Sequence, residues 1–299
     1  MKCIIDTDPG ADDVLALIMA LNSPDLDILA LTTVEGNARL EHTTANALRL
    51  LAYMGRGDIP VYAGSSTPIV GEFHHAYEVH GDEGLTVRLP DTDNTPADGN
   101  AVDYIIETAM ASPGEITLFA LGPLTNVARA LRQEPRLKDA VKRVYIMGGQ
   151  GDGSGNVTPY AEFNIWDDPH AANVVFGSGA PATLLGLNIS RQTSIPRDDE
   201  SWQNGDTPGE RLAAQVLEKW FVLDEAEHRQ RFSMHDPVTI MAALRPDLIT
   251  ARRATLSVET QGARVGEITA DYATPSSVEV AVAVRSAEAL AFMRGLLRG

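Results

Sequence analysis

The chain has a single cysteine, Cys3, so no intrachain disulfide can form, and a small secreted scaffold stapled by disulfides is excluded. Positive charge is scarce. Lys and Arg number 24 against 41 Asp and Glu, a formal net charge of -17. Such a surface repels phosphate, which argues against nucleic acid or an anionic membrane as partner and leaves a small neutral substrate open. No apolar run approaches the roughly 18 residues that span a bilayer. The N-terminus shows no charged n-region, long apolar h-region or cleavage site, and no repeat or low-complexity segment stands out. The expectation is a cytoplasmic protein. What is present, 44% hydrophobic and 22% charged residues, is the composition of an ordinary globular protein with ample core.

Short apolar, β-rich runs alternate with helical patterns over most of the length. The spacing predicts strands at Lys2–Asp6, Leu26–Val34, Ile116–Leu121, Val141–Met147 and Ala182–Leu187. Helices are predicted near Asp12–Leu21, Leu40–Met54, Ala101–Ala111, Thr125–Leu131 and Asp168–Phe176. This rhythm implies an α/β fold with a mainly parallel central sheet flanked by helices. The C-terminal third differs. Ala254–Glu259 and Gly266–Ala270 form a strand pair through Gln261-Gly262, Val278–Val284 is extended, and Ala287–Leu297 is a closing helix. An antiparallel addition makes the sheet mixed, and no linker divides the chain, so residues 1–299 are expected to form one large domain. Phe73–Gly84, Gln150–Pro159 and Ser194–Gly209 are expected to be irregular loops, and Arg211–Arg231 has helical spacing.

The opening run carries the chemistry. Asp6, Asp8, Asp12 and Asp13 lie between an apolar strand and an apolar helix, around a Pro9-Gly10 turn. Acids are unfavourable inside a buried strand, so they are expected where it ends, the edge at which open α/β sheets bind ligands. Asp6 and Asp8, two apart, face the same way on an extended chain. Asp12 and Asp13 open a helix, where free N–H groups and the dipole favour carboxylates. Four acids repel unless a cation holds them, and oxygen ligands suit a divalent one. Further along, Asn156, Glu162 and Asn164 offer donors and acceptors for sugar hydroxyls. In His235-Asp236-Pro237 the proline holds Asp236 extended, as a fixed ligand requires. The strand ending at Leu121-Gly122-Pro123 leaves a carbonyl for a cation or water.

Together these runs resemble the inosine–uridine nucleoside N-ribohydrolase family. The resemblance extends over essentially the whole chain and includes Thr32-Thr33-Val34-Glu35-Gly36-Asn37 and His80-Gly81-Asp82. It implies a nucleoside-hydrolase-like fold and a Ca²⁺ ion held by Asp8, Asp13, Asp236 and the Leu121 carbonyl. It also implies Asp8 as general base. Asp12, Asn37, Asn156, Glu162, Asn164 and Asp236 would grip the ribose, with Asp6 behind them orienting Asn37 or the ligand carboxylates. His80 and Phe163 would line the nucleoside pocket. His235 would lie near the leaving base, as its candidate general acid or as a contact that gives up no proton. The implied assembly is a homodimer or homotetramer.

The implied reaction splits a ribonucleoside and water into ribose and a free purine or pyrimidine base, through an oxocarbenium-like state that an acidic wall stabilises. Trapping the substrate would call for closure of Phe73–Gly84 and Arg211–Arg231. His228, Trp220 and Phe232 are further candidates to meet the base. His74 and His75 are expected to be solvated, and His42 and His170 carry no functional argument. Two rivals stand beside this reading. A phosphatase of the haloacid dehalogenase type also opens with Asp-x-Asp, but Pro9-Gly10-Ala11-Asp12-Asp13 breaks its spacing. A non-catalytic nucleoside or ribose sensor would keep the pocket, yet has no need of a base at Asp8.

Overall fold

The order of strands places the site. In the computed structural model, which describes residues 1–151, 153–202, 205–223, 230–274 and 276–299 (Glu200 and Leu223 by backbone alone), eight strands form one sheet. The first half of the chain runs β1 (Lys2–Thr7), α1 (Ala11–Asn22), β2 (Asp27–Thr33), α2 (Leu40–Tyr53), β3 (Val61–Ala63), α3 (Tyr77–His80), α4 (Ala101–Ala111), β4 (Thr117–Ala120), α5 (Thr125–Gln133), α6 (Leu137–Ala140) and β5 (Arg143–Met147). Then come α7 (Phe163–Asp167), α8 (Pro169–Gly177), β6 (Ala182–Leu185), α9 (Leu187–Ser190), β7 (Ser194–Pro196), α10 (Pro208–Leu223), β8 (Arg231–Ser233) and α11 (His235–Leu244). The chain closes with β9 (Ile249–Arg253), β10 (Thr255–Val258), β11 (Ile268–Asp271), β12 (Val278–Val284) and α12 (Ser286–Arg298).

The sheet order is β3-β2-β1-β4-β5-β6-β12-β9. All neighbours are parallel except β9, which pairs antiparallel with β12. The β10–β11 hairpin stands apart as an antiparallel pair. From β1 the chain winds one way to β2 and β3, then returns to lay β4 on the other side of β1. The strand order therefore switches between β1 and β4, and a crevice opens beyond their carboxyl ends.

Both faces of the sheet are covered, so its strands are apolar throughout. Side chains alternate between the two layers. Cys3 and Ile5 of β1 join the core beneath α1, α10, α11 and α12, whereas Ile4 joins the opposite core beneath α4, α5 and α8. Phe119 and Leu118 of β4 divide in the same way. Helix α1 is buried along Val14–Ala20 because α10, α11 and α12 pack around it. Burial pushes the Cys3 thiol up to about 12, so it is an inert apolar group.

The predicted strands and helices all form, with ends shifted by no more than two residues, whereas, among the described residues, the helical spacing of Arg211–Arg231 yields α10 only as far as Leu223, with Arg231 in β8. Three further local expectations change. Asp6, predicted as the last residue of its strand, is followed by Thr7 within β1. The loop 73–84 contains the helical turn Tyr77–His80, and 194–209 holds β7 and the start of α10. The short strands β3, β7 and β8 carry too little pattern to be seen in sequence. Among the described residues, no helix is long and apolar enough to cross a membrane.

Candidate active site

At the switch point the chain leaves β1 through Asp8-Pro9-Gly10 and enters α1. Asp13, in the first turn of α1, gathers the motif. Its carboxylate accepts the Thr7 hydroxyl at 2.5 Å, the Gly10 N–H at 3.0 Å, the Asp8 N–H at 3.3 Å and the Asn37 amide at 3.3 Å. Asp8 accepts the backbone N–H of Asn37 at 2.7 Å, while its own carbonyl accepts the Asn37 side chain at 3.1 Å. The loop after β2 is thus sewn to the loop after β1. Glycine is required on both sides of the Asp8 carboxylate. A Cβ on Gly36 would stand 2.3 Å from Asp8 Oδ2, and one on Gly122 would stand 2.5 Å from Oδ1.

The resemblance put Asp6 behind the site, orienting Asn37 or the ligand carboxylates; its hydrogen bonds run to neither. Its Oδ1 accepts the Thr32 hydroxyl at 2.6 Å and the Asn126 amide at 2.8 Å, and Asn126 also holds the Thr33 carbonyl and the Ser65 N–H. Asp6 therefore locks β1 to β2 and α5. Burial pushes it up to about 7, against the pull of those two hydrogen bonds.

The far side of the crevice comes from the segment after β5. Glu162 caps α7, accepting the N–H groups of Gly149, Asn164 and Ile165 at 2.9–3.2 Å. The Asn164 side chain donates to the Leu121 carbonyl at 2.6 Å, so the open carbonyl after β4 is already engaged through one lone pair. Asn156 sits on the rim and accepts the Phe163 N–H at 3.0 Å. The N-terminus of α11, packed on α1, brings His235, half-buried, and Asp236, buried.

These groups surround a cavity of about 450 Å³, within the range of small-ligand sites. Its wall includes Asp12, Asp13, Asn37, His80, Leu121, Asn156, Glu162, Phe163, Asn164, His235 and Asp236. Of the residues singled out in sequence, Asp6 and Asp8 lie behind that wall. Carboxylate oxygens of Asp12, Asp13 and Asp236 come within 4.8 Å of one another. Asp8 stands outside that triplet, although the resemblance put it on the metal and put Asp12 on the ribose.

The electrostatics follow from crowding. Burial first, then the charge of Asp13, pushes Asp12 up to about 7 and holds Asp8 and Asp236 well above the usual carboxylate range. Burial also raises Asp13 and Glu162. Among the described residues no Lys or Arg forms an ion pair with the triplet. The donors are all hard oxygens, the set that suits a divalent cation. The residues present therefore fit a metal ion.

The leaving-group side differs. His235 Nδ1 lies 2.8 Å from the Ser190 hydroxyl. Burial, helped by the Arg191 guanidinium, pushes its ring down to about 4, which favours neutral imidazole over the imidazolium that a general acid requires. His80 Nδ1 accepts the Ala11 N–H at 3.2 Å, so the proton of its neutral ring is on Nε2. Trp220 lines the cavity and meets Phe232 edge to face at 5.0 Å, while Phe232 itself is core. His228 lies outside the described residues.

His74 and His75 are less solvated in role than expected. His74 holds the buried Asp167 through its N–H at 2.8 Å and its ring at 3.3 Å, and His75 meets Glu35 at 3.0 Å. Sequence reading also missed Ser190, Arg191, Arg231 and Ser233. They sit in polar stretches without a motif, and only their place near the carboxyl edge of the sheet signals them.

The site can be compared with known proteins. The sequence profile described as inosine-uridine preferring nucleoside hydrolase matches residues 3–291. The chain belongs to that family. This nucleoside hydrolase is 41% identical to uridine nucleosidase 1 of Arabidopsis thaliana, over 90% of its own length and 82% of the relative's. It is 39% identical to a pyrimidine-specific ribonucleoside hydrolase of Citrobacter koseri, over 88% and 85% of the two chains. A solved plant nucleoside hydrolase superposes with a TM-score of 0.95 at 37% identity, covering 100% and 99% of the chains. A purine-preferring ribonucleoside hydrolase from Gardnerella vaginalis gives 0.94 at 30%, covering 100% and 98%. The enzyme is an N-glycosidase that acts on small nucleosides.

Proposed function

We propose that the enzyme is a Ca²⁺-dependent ribonucleoside hydrolase that works best on pyrimidine ribonucleosides, uridine foremost. The observation that carries the metal is the triplet of half-buried Asp12 and buried Asp13 and Asp236, whose oxygens lie within 4.8 Å of one another and want a cation. Asp13 and Asp236, with Asp12 or Asp8 and the Leu121 carbonyl, would hold it. Carboxylate and carbonyl ligands favour calcium over softer metals. When bound, such an ion lowers the pKa of water and polarises it.

The chain's own groups do the rest. Asp8 takes the proton of the attacking water as general base. Asp12, Asn37, Asn156, Glu162, Asn164 and Asp236 fix the ribose hydroxyls, so that remote binding energy is used at C1′. The acidic wall stabilises positive charge on the sugar as the C–N bond breaks. His80 and Phe163 line the pocket. His235, held by Ser190, contacts the departing base as a hydrogen-bond partner. The preference for uridine is supported by the two relatives at 41% and 39% identity, a uridine nucleosidase and a pyrimidine-specific ribonucleoside hydrolase. The same reading takes the enzyme as a cytoplasmic homodimer or homotetramer, a state that light scattering measures.

The test is reducing-sugar release from uridine, cytidine, inosine and adenosine, with and without calcium after chelation. Calcium-restored cleavage with the highest kcat/KM for uridine supports the proposal. Higher kcat/KM for inosine would overturn the base preference, and full activity in the chelated enzyme would overturn the metal. A calcium-bound protein that frees no ribose from any of the four would return the sensor reading.

A further inference from the structure

The glycine-rich loop before Glu162 has to be held by something other than itself. Glycine pays more conformational entropy on ordering than any other residue, and this segment contains Gly148, Gly149, Gly151, Gly153 and Gly155. Among the described residues its internal backbone bonds are few: Gly153 N–H to the Gln150 carbonyl at 3.3 Å, Gly155 N–H to the Pro159 carbonyl at 3.2 Å, and Asn156 and Val157 N–H to the Ala161 carbonyl at 3.1 and 3.3 Å. From outside, the Gln150 side chain ties the start of the loop to Ile268, and the turn after α9 holds its middle. Arg191 donates from Nη1 to the Ser154 carbonyl at 2.6 Å and from Nη2 to the Gly155 carbonyl at 3.0 Å. Both carbonyls immediately precede Asn156. A planar guanidinium suits two adjacent acceptors, and a charged donor makes each bond stronger than a neutral one.

The loop is shaped to this grip. A Cβ at Gly151 would collide with the Asn188 side chain of α9, three residues before Arg191. The same corner also supports the other side of the pocket, since Ser190, the residue before, meets His235 at 2.8 Å. Arg191, Asn156 and His235 all line the one cavity.

We infer that Arg191 is a positioning residue: it fastens the 150–159 loop so that Asn156 is presented to the ribose. This rests on the assignment of Asn156 as a ribose ligand in the proposed function. The experiment uses the calcium-loaded enzyme as wild type and as Arg191→Ala, Arg191→Lys, Asn156→Ala and the Arg191→Ala/Asn156→Ala double variant. Steady-state kinetics with uridine, thermal melting and amide exchange over residues 153–163 are measured on each.

Arg191→Ala should lose on the order of tenfold to a hundredfold in kcat/KM, the scale of an ångström of misplacement. Its melting temperature should stay within about 2 °C of wild type, as fits a surface anchor. Faster amide exchange should be confined to the loop. Arg191→Lys, with a single ammonium for two carbonyls, should fall between wild type and Arg191→Ala. The double variant should be no more than about twofold worse than Asn156→Ala, because the two act through one interaction. Wild-type kcat/KM in Arg191→Ala, unchanged loop exchange, or losses that multiply in the double variant would each overturn the inference. Accelerated loop exchange beside a fully active Asn156→Ala would show the fastening intact and overturn the ribose role of Asn156, a failure of the proposed function and not of the anchor.

Discussion

The two walls of the pocket are built on different principles. The acidic wall of Asp12, Asp13, Asn37 and Asp236, backed by Asp8 and proposed to face the ribose, stands on helix starts and the loop after β2, and Asp8, Asp13 and Asn37 interlock through several hydrogen bonds each. The opposite wall of Trp220, Arg231 and Ser233, proposed to face the base, stands near the end of α10 and on the short strand β8, with more exposure. Rigid elements hold the groups whose placement must be exact to a fraction of an ångström. On the proposed reading, irregular segments hold those that would distinguish one base from another. The chemistry common to every nucleoside would then sit, Asn156 apart, where the fold cannot shift, and the selectivity where it can.

Substitutions should fall in severity from the first wall to the second. Asp8→Ala should lower kcat by about 10³- to 10⁴-fold, the upper range for loss of a general base. Reducing-sugar release measures it, and a rate within tenfold of wild type would remove Asp8 from the base role. Gly122→Ala is next. Its Cβ would stand 2.5 Å from Asp8 Oδ1, so it should cost about 1–3 kcal/mol of stability together with most of the activity. Denaturant unfolding gives the first figure. A fully stable, fully active variant would show that the carboxylate has room to move.

The acid cluster also sets a pH dependence. Asp6 and Asp12 are pushed up to about 7 and Asp167 to about 8. Between the unfolded value of about 4 and these, the folded chain retains protons that the unfolded chain has released. Stability of the chelated protein should therefore fall as pH rises from about 5 to 8, by several degrees of melting temperature. Calcium should reverse much of that fall, because a ligand bound to the folded state alone stabilises it. A melting temperature that rises over this window without metal would contradict the crowding argument.

Changes on the base-facing wall should be milder and selective. Trp220→Ala should alter the ratio of kcat/KM for uridine over inosine by about tenfold, the scale of one base–aromatic stack. Equal losses for all nucleosides would make Trp220 a packing residue only. The smallest effect is expected at His74→Ala. Its ring is 64% exposed where it meets Asp167 and the backbone N–H remains, so the loss should be about 0.5 kcal/mol or less, with activity within twofold.

Legibility follows the same division. The Asp-x-Asp-Pro-Gly-x-Asp-Asp run and the His235-Asp236-Pro237 turn are visible in sequence because both concentrate unusual residues beside chain-reversing proline. Arg191 and Ser190 carry no such mark. An arginine in a polar stretch has the same sequence signature whether it faces water or pins a loop. Asp6 is visible as a supporting acid, but the motif does not reveal that Thr32 and Asn126 meet it from neighbouring elements.

Local sequence determined the alternation of strands and helices, the buried core and the four acids at the first turn, since each depends on neighbours within a few positions. Only the tertiary structure decided how the acids divide. Asp6 faces into the sheet because β2 and α5 supply its partners, and Asp12 joins Asp13 and Asp236 because α11 packs on α1 more than two hundred residues away. Which carboxylates end up close enough to want a cation is a property of packing between distant segments, and the crossover from β1 to β4 is what opens the space for them.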